Sequence, residues 1–251
     1  MTRLILLLTV RPMDKDLLSE LAPTGTLRAG INMSNFLLVS GKAANGDPVG
    51  VAPDMAAEIA KRLGVPLKLV PFPSPGELAD QSGNNVWDIG LIADEPARAK
   101  VMAFSGPYVE IEATYMVHGD SPLKSIADVD KTGVKIVVPA RTAYELWLSD
   151  NIKNAELVKT QGNERAAEQF KARAVDALAG LKPGLIKDVT KYPGARLIDG
   201  RFTAVQQAIG TGVANKKGAA FLKELVEEAK KSGLVADLIK KHNVVGLSVA
   251  Q

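Results

Sequence analysis

The sequence predicts an α/β fold of two lobes, and three observations carry that expectation. Strand-like and helix-like segments alternate over residues 26–93. A second series of similar content runs from about residue 115 to 203, and residues 215–241 have helical periodicity. Alternating βαβ segments favour parallel sheets flanked by helices, and two such series suggest two lobes.

In the first series, Thr26–Ile31 alternates after Gly25 and reads as the opening strand. Residues 32–50 hold Gly41, Gly46 and Pro48 without helical spacing, which predicts a loop with at most a short extended piece. From Pro53 to Gly64, Met55, Ile59 and Leu63 recur every four residues. Pro53 suits the first helical turn, Asp54 complements the positive amino end, and Gly64 suits the stop. Leu67–Val70 is the next strand, closed by Pro71, Pro73 and Pro75, and Trp87–Ala93 is another.

The β-prone run Val109–Val117 leads into the second series. There, 134–138 reads as a strand, 142–149 and 163–173 as helices, 175–181 as a strand, Pro183-Gly184 as the start of a helical turn, and 195–198 as a short strand. Residues 203–209 read as extended. Asn215 is placed to cap a helix striped by Phe221, Leu222, Leu225, Val226 and Ala229; Gly233 ends it, and 234–241 forms a last short helix.

Composition narrows the chemistry. The chain has 251 residues, 46% of them hydrophobic and 24% charged, enough to bury a core without disulfides or metal. It has no cysteine and two distant histidines, His118 and His242, which removes thiolate chemistry and argues against a His-rich metal site or a Ser-His-Asp hydrolase. A net charge of +3, with Lys216-Lys217 and Lys230-Lys231 as its densest basic pairs, does not suggest nucleic acid; both pairs read as solvated helix faces. Neither a dinucleotide nor a Walker phosphate loop occurs, and G-x-S-x-G is absent. The acidic pairs Asp94-Glu95, Glu110 with Glu112, and Glu227-Glu228 read as solvated surface. Cofactors and metals are not expected. At the amino end, an apolar run from Leu4 to Val10 sits at the lower limit for a secretory leader and lacks a small-residue cleavage pattern.

The informative block is Trp87–Tyr108, WDIGLIADEPARAKVMAFSGPY. Its strand ends in a polar turn, and Pro96 can open a short helix carrying Arg98. In open α/β sheets, ligands bind outside the carboxyl ends of strands, at helix amino ends, and a guanidinium suits a carboxylate there. The alternative is a surface arginine paired with Asp94 or Glu95.

With the preceding TGTLRAGIN, the segment PVGVAPDMAAEIAKRLGV, the ARAKVMAFSGPY ending of the block, SIADV before the strand VKIVV, and the VDA of residues 175–177, the chain resembles the extracellular solute-binding proteins of family 3, the polar amino acid ABC transporter class. The likeness runs from about Gly25 to the end. It implies a type II periplasmic-binding-protein clamp, with two α/β lobes joined by two hinge strands and a ligand held between them. The implied division is an extension at 1–23, weakly leader-like or disordered, a first lobe from 24–112 plus 206–251, and an inserted second lobe at 113–205. The crossings fall on Val109–Val117 and Thr203–Ile209. Also implied are a small-molecule partner (carboxylate or amino acid), an ABC permease, a monomer and a periplasmic location; a cytoplasmic one is the alternative.

Family roles transfer residue by residue. The arginine that grips an α-carboxylate falls on Arg98. The loop after the first strand supplies Asn32, Asn35 and Phe36, the last of which could equally be core. The second-lobe turn falls on Arg141-Thr142-Ala143 with Tyr144 beside it; Thr142 could offer backbone N–H groups to an anion or merely cap its helix, and Arg141 would add positive charge. The residues that contact ligand after the third strand are replaced here by Ala93, Asp94, Glu95 and Pro96. The acid that holds an α-ammonium after VDA is missing, and Lys182 arrives instead. An ammonium buried without a carboxylate is costly. An organic acid or other anion is therefore expected, unless Asp94 or Glu95 supplies the missing acid. Two other readings stand beside it: a cyclohexadienyl dehydratase-like enzyme on this scaffold, using Glu95, Glu145 or Lys182 as acid, and a leaderless cytoplasmic binder or sensor.

Overall fold

A computed structural model describes residues 14–251. The leader-like run at 4–10 lies outside the described residues. In chain order the elements are α1 (Lys15–Leu21), β1 (Leu27–Asn32), β2 (Gly41–Lys42), β3 (Pro48–Val49), α2 (Val51–Leu63), β4 (Leu67–Phe72), α3 (Pro75–Asp80), β5 (Ile89–Ala93), α4 (Pro96–Ala99), β6 (Met102–Phe104) and β7 (Val109–Val117). There follow α5 (Ile126–Val129), β8 (Lys135–Pro139), α6 (Ala143–Asn151), β9 (Glu156–Thr160), α7 (Gly162–Lys171), β10 (Ala177–Leu181) and α8 (Lys182–Asp188). The chain ends with β11 (Arg196–Leu197), β12 (Thr203–Gly212), α9 (Lys216–Lys231), α10 (Leu234–Lys241) and β13 (Ser248–Val249).

The main strand order is β4-β1-β5-β12-β7-β10-β8-β9. β1 pairs in parallel with β4 and β5, and β8 with β10 and β9, as expected of two βαβ series. β12 and β7 run antiparallel to each other in the middle and tie the two halves together. The fold is thus the two-lobe α/β architecture that the sequence predicts. One core gathers Leu27, Ile31, Met55, Ile59, Leu91, Leu222 and Val226, beneath α2, α9 and α10. Another gathers Tyr115, Ile136, Val138, Leu148 and Ala177. Leu181 packs against both, and Ala93, from the end of β5, belongs to the second. The site is built where these cores meet.

Local chemistry explains the secure elements. α2 begins with Pro53 in its first turn and stops at Gly64, whose φ of 67° is a left-handed stop. β5 is buried throughout, and Asp88 just before it accepts the backbone N–H of Arg28 at 2.8 Å and its guanidinium at 2.6 and 3.0 Å. That charged pair fixes β1 against β5.

Three expectations need correction. Residues 14–23 are not a disordered extension: α1 inserts Leu17 and Leu21 into the first core, and Lys217 of α9 grips Asp14 and Asp16 at 2.9 and 2.5 Å. A seven-residue helix is too short to show periodicity. Asn215 stands at the start of α9, but its amide donates to the Glu20 carbonyl and to Thr211 Oγ1; the Glu20 carboxylate instead takes the N–H of Gly218 at 2.7 Å. Finally, Glu110 and Glu112 are not free surface acids. Glu110 accepts from Gln206 at 3.0 Å, and Glu112 pairs with Lys182 at 2.7 Å.

Candidate functional site

A cavity of about 320 Å³ opens between the two cores. That is at the small end for ligand pockets, which run from about 300 to 1,000 Å³. Its walls come from the loop after β1, the end of β5, α4, the start of α6, α7, β10, α8 and β12.

Arg98 is the dominant charge. Pro96 opens α4 and Arg98 follows two residues on, 5% exposed. Its guanidinium donates to the Ala93 carbonyl at 2.9 Å and to the Arg141 carbonyl at 3.2 Å, so it touches both halves of the molecule. Among the described residues no carboxylate oxygen lies within 4.0 Å of it, so the surface pairing with Asp94 or Glu95 does not occur. Burial pulls its pKa down to about 10, a pull that Arg141 reinforces and that Glu95 and Asp94 oppose; it remains a cation at neutral pH. A buried cation that holds only neutral carbonyls still has N–H donors for an anion.

Around it, Thr142, Ala143 and Tyr144 bring the start of α6 to the cavity. The Thr142 hydroxyl accepts the Glu145 N–H at 3.2 Å and donates to the Pro139 carbonyl, so its side chain is a cap. The remaining first-turn N–H groups lack helical partners and favour an anion. Burial pushes the Tyr144 phenol up to about 12, which keeps it a neutral donor. Asn32 and Asn35 line the opposite wall. Their amide oxygens are occupied by the N–H groups of Ser34 and Leu37, while their NH2 groups have no protein acceptor among the described residues. Phe36 and Ala93 also line the cavity.

The structure carries Arg141, Lys182 and Asp94 elsewhere. Arg141 has a positive φ of 63°, and its guanidinium turns to Asp80 of α3 at 2.6 Å and the Gly76 carbonyl at 3.1 Å. Glu145 holds its backbone N–H at 2.7 Å. Lys182 is spent on Glu112, and Asp94 is exposed outside the lining. These partners stand 61 and 70 residues away in sequence, so no local pattern signals them.

Sequence reasoning missed Gln207, Asn163, Lys187, Asp188 and Lys191, which all line the cavity. Gln207 had a readable signal: it is a polar residue in the apolar run of β12, 5% exposed, opposite Ala93 in register. The others looked like helix surface.

Of the three groups nominated for acid chemistry, none lines the cavity. Glu145 is held by Lys159 at 2.8 Å, Ser149 and the Arg141 N–H. Glu95 is buried beside α4, and its carboxyl is pushed up to about 7 chiefly by that burial. Among the described residues there is no cluster of three metal-ligating side chains and no helix long and apolar enough to cross a membrane.

Comparison with known proteins agrees with this fold. The sequence profile of the bacterial extracellular solute-binding proteins, family 3, matches residues 27–244. The L-cystine-binding protein TcyJ of Escherichia coli K12 is 26% identical over 241 residues, covering 94% of this chain and 85% of that one. A P235GK mutant of ArgBP from T. maritima superposes with a TM-score of 0.72 at 26% identity, covering 90% of this chain and 99% of that one. AbpA of Streptococcus pneumoniae, bound to L-arginine, superposes with a TM-score of 0.71 at 22% identity, over 90% and 98% of the two chains. The fold and its interlobe cavity therefore define a binding protein of the type II periplasmic class. The chain belongs to the bacterial extracellular solute-binding proteins of family 3.

Proposed function

We propose that this protein captures a small carboxylate-bearing solute in the interlobe cavity and delivers it to an ABC transporter, and that it does so in the periplasm. The observation that carries the reading is Arg98, a buried guanidinium with no carboxylate partner among the described residues, in the cavity wall beside the start of α6. In this reading the carboxylate accepts from Arg98 and the first-turn N–H groups of α6, while the amides of Asn32, Asn35 and Gln207 select its remaining polar groups. The lobes divide at residues 112/113 and 205/206, and β7 and β12 act as the hinge.

We further propose that the solute is an organic acid and not an α-amino acid. β10 continues after Asp176 as Ala-Leu-Ala-Gly-Leu, with no acid, and Asp176 itself accepts the Lys135 N–H at 2.7 Å. Among the described residues the one carboxylate in the cavity lining is that of Asp188, which is engaged by Lys191 at 2.6 Å. Cystine and arginine are ligands of the relatives; the acid-free β10 argues for a different choice here. Isothermal titration of the purified protein against aliphatic carboxylates and the standard amino acids tests this. Heat from the carboxylates is expected, and tight binding of an ordinary α-amino acid would overturn the organic-acid reading.

A further inference from the structure

Lys187 lies on α8, facing the cavity that Arg98 also lines. Its ammonium sits 5.0 Å over the Phe36 ring. Gly184, three residues earlier on the same face of α8, makes that approach feasible: a β-carbon there would meet Phe36 Cζ at 3.2 Å. The charges beside it do not neutralise it. Asp188 is taken by Lys191, and among the described residues no carboxylate oxygen lies within 4.0 Å of Lys187 Nζ. The cavity thus has two cations without carboxylate partners, Arg98 from α4 and Lys187 from α8.

From this we infer that Lys187 is a specificity-determining residue that selects solutes with a second anionic group, so that the ligand is a short dicarboxylate or a chemical equivalent. The inference rests on the reading of Arg98 as the holder of the first carboxylate. Two physical consequences follow. A second carboxylate gains a charge-assisted hydrogen bond from an ammonium that otherwise has only an aromatic face. A cationic tail loses, because the Phe36 face that would attract it already holds a cation, and like charges facing one cavity repel. Lys187 therefore works by attraction toward one class and exclusion of another.

The test uses three probes with the same five-carbon chain: glutarate, pentanoate and 5-aminopentanoate. Each is titrated calorimetrically into the wild-type protein and into Lys187→Gln. The Lys187 side chain is exposed and donates no hydrogen bond among the described residues, and a thermal melt checks that the variant is folded. The wild type is expected to prefer glutarate to pentanoate by about tenfold or more, the worth of one charge-assisted hydrogen bond, and to reject 5-aminopentanoate. Lys187→Gln is expected to lose that preference, to weaken glutarate far more than pentanoate, and to admit 5-aminopentanoate. Equal binding of glutarate and pentanoate by the wild type, or an equal loss of both in the variant, overturns the inference and leaves the Arg98 reading intact. Binding of none of the three overturns both.

Discussion

The contact between Arg141 and Asp80 joins the second half of the molecule to the first, and its removal should loosen the clamp by a calculable amount. Arg141 Nη2 lies 2.6 Å from Asp80 Oδ1, and both side chains are 55% exposed. Exposed pairs are worth about 0.2–1 kcal/mol. If the pair forms only when the lobes are together, its loss lowers the closed-to-open ratio by about 1.4- to 5-fold. Arg141 makes a further bond to the Gly76 carbonyl at 3.1 Å, so Arg141→Ala should cost more than Asp80→Ala. The clean quantity is the coupling in a double-mutant cycle of Arg141→Ala and Asp80→Ala, read from the affinity for the best carboxylate ligand. It should fall within the range above at low salt and shrink near 1 M salt, where the screening length drops to about 3 Å. Small-angle scattering of the unliganded variants should show a larger radius of gyration than the wild type. A coupling indistinguishable from zero at low salt, with unchanged scattering, would refute the latch.

Two further outcomes are expected. Leu21→Ala should destabilise the protein by about 2–5 kcal/mol in urea unfolding, because Leu21 is fully buried in the first core; a loss under about 1 kcal/mol would mean that α1 is not part of it. Glu95→Gln should change the pH dependence of stability. The folded carboxyl titrates near 7, above its ordinary 4.5, so the native state holds the proton more tightly than the unfolded chain. The wild type should therefore lose stability as pH rises from about 4.5 through 7, while the variant's thermal midpoint should be flatter across that window; identical pH profiles would refute it.

Much of the fold was legible because it is periodic. α2 has its apolar spacing, proline and glycine, and β5 and β8 are apolar runs between polar turns. β9, ELVKT, escaped because it is a short sheet-edge strand with mixed exposure. At the site, the place of Arg98 in the cavity wall was readable because it sits at a helix start after a buried strand, where clefts form in such sheets. Arg141 was legible as part of the second-lobe turn, but its side-chain partner was not. Its left-handed backbone is held by Glu145, and its charge is spent on a helix 61 residues earlier. Lys187 and Lys191 carry the ordinary signature of a helix surface, and only packing against Phe36 distinguishes Lys187.

Arg98 carries the proposed function. The most direct measurement is calorimetric titration of glutarate, pentanoate and pentanamide into the wild type and into Arg98→Gln, with folding checked by circular dichroism. Both carboxylates are expected to bind the wild type, the amide to bind at least about 100-fold more weakly than pentanoate, and Arg98→Gln to lose about 30-fold or more for both acids, the cost of unpairing a buried charged hydrogen bond. Wild-type affinity retained by Arg98→Gln, or an amide that binds as well as its acid, would contradict it.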